Sequence, residues 1–145
     1  MLTQEIQKLF IRDLERLRAE INLYHSEESL WKNTSSTPNS GGSLCLHLCG
    51  NLQHFVGHLM GGSNYRRDRA FEFSGSTIAR EQLVKEIENT KKAVLQGLGS
   101  DLSLDKEFPI EIKGQRFNYR EMIIHLYGHF NYHLGQINFH RRLID

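Results

Sequence analysis

The sequence lacks several features that would place it in a familiar class of protein. No apolar run approaches the roughly 18 residues that a membrane span needs. The net charge is only +1 at pH 7, which indicates neither binding to nucleic acid nor attraction to an anionic membrane. The first residues show charged helical periodicity in place of the basic and apolar regions of a secretory signal. We therefore expect a cytoplasmic protein without membrane or nucleic-acid partners.

Cysteine is also scarce, since Cys45 and Cys49 are the two in the chain. Four residues apart on one predicted helix, their Cα atoms would lie about 6 Å apart, but their parallel Cβ directions disfavour a disulfide. We expect both thiols to pack in the core of a reduced protein. With 145 residues the chain can bury a core without cross-links, and we expect a single domain over residues 1–145.

Apolar residues recur at helical spacing in four long segments. The predicted helices cover about residues 3–25, 43–60, 78–98 and 118–143. Ser43 is the predicted N-cap of the second helix, while Asn118 and Glu121 are predicted to form a capping box at the start of the last. These signals indicate an all-α fold.

Three segments between the helices are predicted to be irregular. Residues 33–42 are polar and contain proline and glycine, which is typical of a long loop. Residues 65–73 have no clear period and are predicted to be an ordered loop, while residues 110–117 suggest a short hairpin. The predicted fold class is an up-and-down four-helix bundle with a short hairpin or irregular loop before the last helix.

Histidine is the unusual component, because seven of the eight lie within residues 47–58 and 125–140. His129 and His133 are four residues apart, so their imidazoles lie one turn apart on one face and can reach a single ion. A third imidazole from the second helix would leave coordination positions open, as catalytic metal sites do.

The spacing leaves the third ligand open among His47, His54 and His58. These residues and Asn51 share one stripe of the second helix, and the four-residue spacing of His54 and His58 slightly favours that pair. Plain packing is the competing interpretation, since a histidine on an apolar face is more often hydrogen-bonded in a core than bound to metal.

Other groups of residues in the sequence give weaker evidence for a catalytic site. His-Glu-x-x-His and Glu-x-x-His motifs are absent, which disfavours a zinc-peptidase mechanism and a carboxylate-bridged di-iron bundle. Arg66, Arg67 and Arg69 are expected to pair with Asp68 and Glu72 in a solvated or structural role.

Two motifs on the predicted helices carry a family resemblance. His47-Leu48-Cys49-Gly50-Asn51 resembles a His-Leu-Ala-Gly-Asn signature, and residues 129–137 resemble a His-x-x-x-His-x-Gly-Gln-Ile signature. Residues 67–69 and 71–73 are similar to the same family. The chain thus resembles, over nearly its whole length, a branch of the DinB-like (YfiT-like) superfamily of metal-dependent proteins whose function is unassigned.

The resemblance implies a four-helix bundle that often dimerises and binds nickel or zinc through three histidines. On the family pattern these ligands are His47, His129 and His133; iron would suit three imidazoles as well. Some relatives use a low-molecular-weight thiol as cosubstrate, so one hypothesis is a thiol-dependent S-transferase or hydrolase acting on a small molecule. The alternatives are a non-catalytic metal-binding or stress-related protein and a bundle whose histidines merely pack.

Further polar residues are candidates for hydrogen bonding to the ligands or to a substrate. Asn51 lies one turn from His47 and Gln136 one turn from His133, and His54 is a third candidate. His54 lies outside the family pattern, as do three further histidines, and packing, contact with the ligands or an alternative ligand set is compatible with each of the four. The three further histidines are His58, His125 and His140.

Overall fold

The structure, a computed structural model, describes residues 2–74, 77–99 and 101–145 and is mainly helical. The helices are α1 (Leu2–Leu23), α2 (Glu27–Leu30), α3 (Gly41–Leu52), α4 (Arg69–Glu72), α5 (Arg80–Gly97) and α6 (Tyr119–Ile144). Helix α3 continues as a π-helix over Gln53–Met60, so that four helical segments of the described chain are long. These four segments confirm the predicted helices. Periodicity does not predict α2 and indicates a loop where α4 forms, because helices of four residues are too short to show a period.

The four long segments pack around one hydrophobic core. Helices α1 and α3 each contact both α5 and α6, and the π-helical segment lies against α5. The fully buried side chains come from every long segment and include Phe10, Leu14, Leu17, Leu48, Leu52, Leu83, Ile87 and Phe130. Burying each such side chain stabilises the fold by about 1.5–3 kcal/mol. The packing of α3 on α6 is the contact that brings the two histidine segments together.

Helix α3 begins two residues before the predicted start. Its N-cap is Ser40, whose side chain accepts a hydrogen bond from the Ser43 backbone N–H. Gly41 and Gly42, which favour a loop on sequence grounds, instead allow close packing. A Cβ on Gly41 would lie 2.1 Å from the Tyr24 hydroxyl oxygen, and one on Gly42 would lie 2.7 Å from the Trp31 ring. The predicted cap at Ser43 is therefore wrong, and the loop ends sooner.

Helix α6 begins as predicted. The Asn118 side chain accepts a hydrogen bond from the Glu121 backbone N–H, and the Glu121 carboxylate accepts one from the Asn118 backbone N–H. This capping box satisfies two backbone donors that the first turn of a helix leaves unpaired.

The segment before α6 is an irregular loop that contains a tight turn at Lys113 and Gly114. Lys113 and Gly114 have φ values of 51° and 76°, as both central residues of a type I′ turn require. Ile112 and Gln115 flank the turn and exchange two backbone hydrogen bonds of 2.9 Å. No strand forms among the described residues, and the predicted hairpin is present as two isolated antiparallel bridges, between Ile112 and Gln115 and between Glu107 and Asn118. In the described residues no helix combines the length and apolar character that crossing a membrane requires.

Candidate metal centre

Three histidines meet where α3 packs against α6. His47 comes from α3, and His129 and His133 come from α6; one candidate ligand atom from each lies within 4.8 Å of the others. The Nε2 atoms of His47 and His129 are 3.2 Å apart. Two imidazole nitrogens bound about 2.0–2.1 Å from one tetrahedral ion lie about 3.3 Å apart, so this pair already has the required spacing. The geometry fits a divalent ion held by three imidazoles.

In the part of the chain that the structure describes, the group contains three protein ligands and no fourth. Within the described residues, no further histidine, cysteine, aspartate or glutamate joins these three histidines. A zinc site closed by the protein has four protein ligands, whereas three protein ligands leave a position for water or substrate. The donor set is therefore of the open kind.

Glu72 on α4 makes a contact with the centre that the sequence pattern did not predict. Its Oε1 accepts a hydrogen bond of 3.1 Å from Nδ1 of His47, and the side chain of Glu72 is 4% exposed. Because Nδ1 of His47 donates to Glu72, its Nε2 has its lone pair free and faces the other two histidines. A carboxylate on the second ring nitrogen is the usual arrangement behind a metal-binding histidine.

Arg67 holds Glu72 in place. Nε and Nη2 of Arg67 donate to the two carboxylate oxygens of Glu72, each at 2.9 Å. Burial raises the pKa of Glu72, but hydrogen bonds from His47 and Arg67 outweigh it and hold this pKa below its usual value. The predicted pairing of Glu72 with the arginines is thus observed with Arg67, while Asp68 instead caps α4 by accepting from the Phe71 N–H.

Gly50 makes room for this carboxylate. A Cβ at position 50 would lie 2.1 Å from Oε2 and 2.8 Å from Cδ of Glu72. Since Arg67 and His47 fix the carboxylate from two sides, it cannot retreat without breaking those bonds. The glycine three residues after His47 therefore has a packing reason, which the sequence alone did not reveal.

His133 is oriented by its neighbours on α6. Its Nδ1 donates to Oε1 of Gln136 over 2.6 Å, and Nε2 of Gln136 donates to the Tyr132 hydroxyl over 3.2 Å. Gln136 thus lies in contact with His133, as its position one turn away on the same helix predicts. The hydrogen bond leaves Nε2 of His133 as the free ring nitrogen.

His129 and Asn51 each bury an atom without a hydrogen-bond partner among the described residues. These atoms are Nδ1 of His129 and Oδ1 of Asn51. Burial lowers the pKa of His129 to about 4, with further contributions from His133 and His47, and burial also lowers the pKa of His133. His129 and His133 are therefore neutral at pH 7, which is the form that binds metal. The hydrogen bond predicted between Asn51 and a metal-binding histidine is not observed at the side-chain oxygen Oδ1 of Asn51 in the described structure.

The rival ligands His54 and His58 lie outside the three-histidine group. Their rings stack on each other with centroids 6.1 Å apart, and Nδ1 of His58 hydrogen-bonds to the carbonyl oxygen of Ser63. Both residues belong to the π-helical segment, whose wider turns change the direction of every following side chain relative to an α-helix. The single stripe predicted for residues 47–58 therefore does not form.

The remaining histidines of α6 are also separate from the centre. His140 is buried and bridges two segments, because its Nδ1 meets the Tyr24 hydroxyl at 2.7 Å and its Nε2 meets the Lys32 carbonyl at 2.8 Å. His125 is exposed and stacks on Phe117. Packing accounts for these two residues.

Fold and site together define a mainly helical protein with an open three-histidine candidate metal centre. The family described as "Protein of unknown function (DUF1572)" matches residues 5–145, and the chain belongs to this family. No curated protein and no solved structure matches the chain.

Proposed function

We propose that this protein is a metal-dependent enzyme that binds one divalent ion through His47, His129 and His133. The observation that carries this proposal is the convergence of three imidazoles within 4.8 Å without a fourth protein ligand in the described residues. These three histidines would hold the ion and leave room for a further ligand, and the ion would supply Lewis-acid chemistry that lowers the pKa of a water or thiol toward neutrality. The protein's own residues supply the three imidazoles, and hydrogen bonds to Glu72 and Gln136 orient those of His47 and His133.

The surrounding side chains favour a particular reaction type. Glu72 is engaged by both Arg67 and His47, so the carboxylate nearest to the ligands is not free to act as a general base. A nucleophile must then be activated by direct coordination. We therefore propose a thiol-dependent S-transfer or a hydrolysis of a small molecule, with Gln136 and Asn51 as candidate hydrogen-bonding partners of the substrate.

The family resemblance supports further parts of the proposal. On this view the family is a branch of the DinB-like superfamily, and the four long segments form an up-and-down four-helix bundle. Nickel or zinc is the proposed ion, and iron is a third option, because imidazole suits all of them. The protein is proposed to be a cytoplasmic homodimer whose cosubstrate is a low-molecular-weight thiol.

The proposal is tested by elemental analysis of the native protein beside the variants His129→Ala and His125→Ala. We expect about one ion per chain in the native protein and in His125→Ala, whose exposed ring lies outside the group. His129→Ala should lose the ion. Metal-free native protein, or full metal content in His129→Ala, would contradict the metal site.

Catalysis is tested separately on the loaded protein. A panel of electrophilic and ester substrates, with and without added thiols, should reveal a turnover that disappears in His129→Ala. A protein that holds its ion and shows no turnover across the panel would instead be the non-catalytic metal-binding protein.

A further inference from the structure

A groove of about 660 Å³ lies beside the metal centre, between a loop and the outward face of α6. Residues 36–39 form one wall, and Tyr132, Gln136 and Phe139 lie on the other. The volume is within the range of about 300–1,000 Å³ that small-molecule sites have.

Two lining residues connect the groove to the three histidines. Gln136 accepts the Nδ1 hydrogen bond of His133, and the ring centroid of Tyr132 is 5.1 Å from that of His133. A molecule in the groove would therefore lie against the side chains that orient a metal ligand. The groove therefore adjoins His133 through Gln136 and Tyr132, and the three histidines themselves are not among its lining residues.

Among the described residues, no aspartate, glutamate, lysine or arginine lines the groove. Arg142 lies over the Phe139 ring at 5.8 Å but is not part of the lining. Both ring nitrogens of His140 are already engaged, by Tyr24 and by the Lys32 carbonyl. A charged group placed in the groove would lose hydration without gaining an ionic partner, which is unfavourable.

On the α6 wall, the polar side chains of Tyr132 and Gln136 lie at the metal end, and the loop wall adds the uncharged polar side chains of Ser36, Thr37 and Asn39. The Tyr132 hydroxyl accepts from Gln136 and keeps its own proton to donate. Farther along the groove the walls present Pro38, Phe139 and Leu143. The order of side chains along the α6 wall matches a molecule with a hydrogen-bonding group near the metal and an apolar body beyond it.

Gly135 lies in the part of the groove wall where such an apolar body would bind. Glycine inside a helix is less favourable than alanine by about 0.5–1 kcal/mol. A Cβ at position 135 would meet nothing within 4 Å, so packing within the described chain does not require glycine there. Because Gly135 lines the groove, a side chain at this position would enter it.

We propose that this groove binds the apolar body of an uncharged small-molecule substrate whose reacting group reaches the three-histidine centre. The inference rests on the proposed function and narrows its substrate class. It also places an anionic thiol cosubstrate outside this groove.

The test uses two fluorescent probes with one skeleton, uncharged N-phenylnaphthylamine and its anionic analogue anilinonaphthalene sulfonate. Both are titrated into the native protein, Gly135→Leu and Gly128→Leu. Gly128 is a matched control, because it lies on the same helix, its Cβ would also meet nothing within 4 Å, and it does not line the groove. Metal content and molecular mass are measured on each protein.

We expect the native protein to bind the uncharged probe at least about tenfold more tightly than the anionic one. Gly135→Leu should weaken binding of the uncharged probe by about tenfold or more, and Gly128→Leu by less than about twofold. Equal binding of the two probes, or equal loss in both variants, would overturn the inference. Dissociation of a dimer by Gly135→Leu would also overturn it, since a second copy of the chain would then occupy the groove.

Metal content separates this inference from the proposed function. Native protein without an ion contradicts the metal site, whatever the probes do. Native protein that holds an ion but does not distinguish the probes contradicts only the groove.

Discussion

Glu72 combines burial, charge and hydrogen bonding in a way that few surface glutamates do. Its carboxylate is 4% exposed, receives two bonds from Arg67 and accepts one from His47. A buried carboxylate is tolerable only when it is paired, and Arg67 provides that partner. The remaining bond directs Nε2 of His47 toward the other two histidines, so Glu72 is a positioning residue for the proposed ion.

We predict that Glu72→Gln lowers metal affinity by about 10–100-fold, because the neutral amide is a weaker acceptor for His47 and loses the ionic pairing with Arg67. Competition with a chromophoric chelator measures the change. Glu81→Gln, at an exposed site in the first turn of α5, is the control and should bind as tightly as the native protein.

Gly50→Ala provides an independent check of the same contact. Its new Cβ would displace the Glu72 carboxylate without altering any charge, and metal affinity should again fall. Unchanged affinity in both Glu72→Gln and Gly50→Ala would show that Glu72 does not position His47.

At the scale of elements, the π-helical segment is held closely against α5. A Cβ on Gly97 would lie 2.2 Å from the carbonyl oxygen of Val56, and one on Gly57 would lie 2.9 Å from the Cβ of Ala93. These contacts involve backbone and short side chains, which cannot turn aside. The close approach fixes the segment that follows His47, and with it the direction in which His54 and His58 point.

We predict that Gly97→Ala lowers the free energy of unfolding by about 1–3 kcal/mol, because the added methyl group forces the π-helical segment away from α5. Urea unfolding followed by the fluorescence of Trp31, the single tryptophan, measures this change. Gly99→Ala is the control, since a Cβ there would meet the Gln96 carbonyl at an ordinary 3.5 Å. Equal stability of the two variants would contradict the close packing.

At the scale of the whole molecule, the proposed ion would join two long helices across the core. His47 is separated from His129 by 82 residues, yet the packing of α3 on α6 brings their ring nitrogens to 3.2 Å. An ion that binds only this folded arrangement stabilises it by mass action. Metal binding and global stability should therefore be linked.

We predict that removing the ion with a chelator lowers the Tm of loaded protein by about 10 °C. This value corresponds to about 4 kcal/mol of stabilisation at a free ion concentration near a thousand times Kd. Differential scanning calorimetry measures the shift. His129→Ala should melt at the same temperature with and without chelator, and the same behaviour in loaded native protein would indicate histidines that merely pack.

Much of the secondary structure of this protein could be predicted from residues that lie close together in the sequence. Helical periodicity predicts the four long segments, because each must bury one face, and the Asn118–Glu121 capping box marks the start of α6. The spacing of His129 and His133 places both imidazoles on one face of a single helix. These features depend only on residues close in sequence.

The rest depended on contacts between distant segments. Spacing could not choose among His47, His54 and His58, because it describes angles around one regular helix and the π-helical segment changes those angles. Glu72 and Arg67 looked like surface charges until α4 packed against α3 and buried Glu72 beside His47. Periodicity specifies which residues share a face of a helix, whereas packing in the core specifies which faces meet. The choice of His47 as the third histidine and the position of Glu72 behind it are therefore decided by packing in the core.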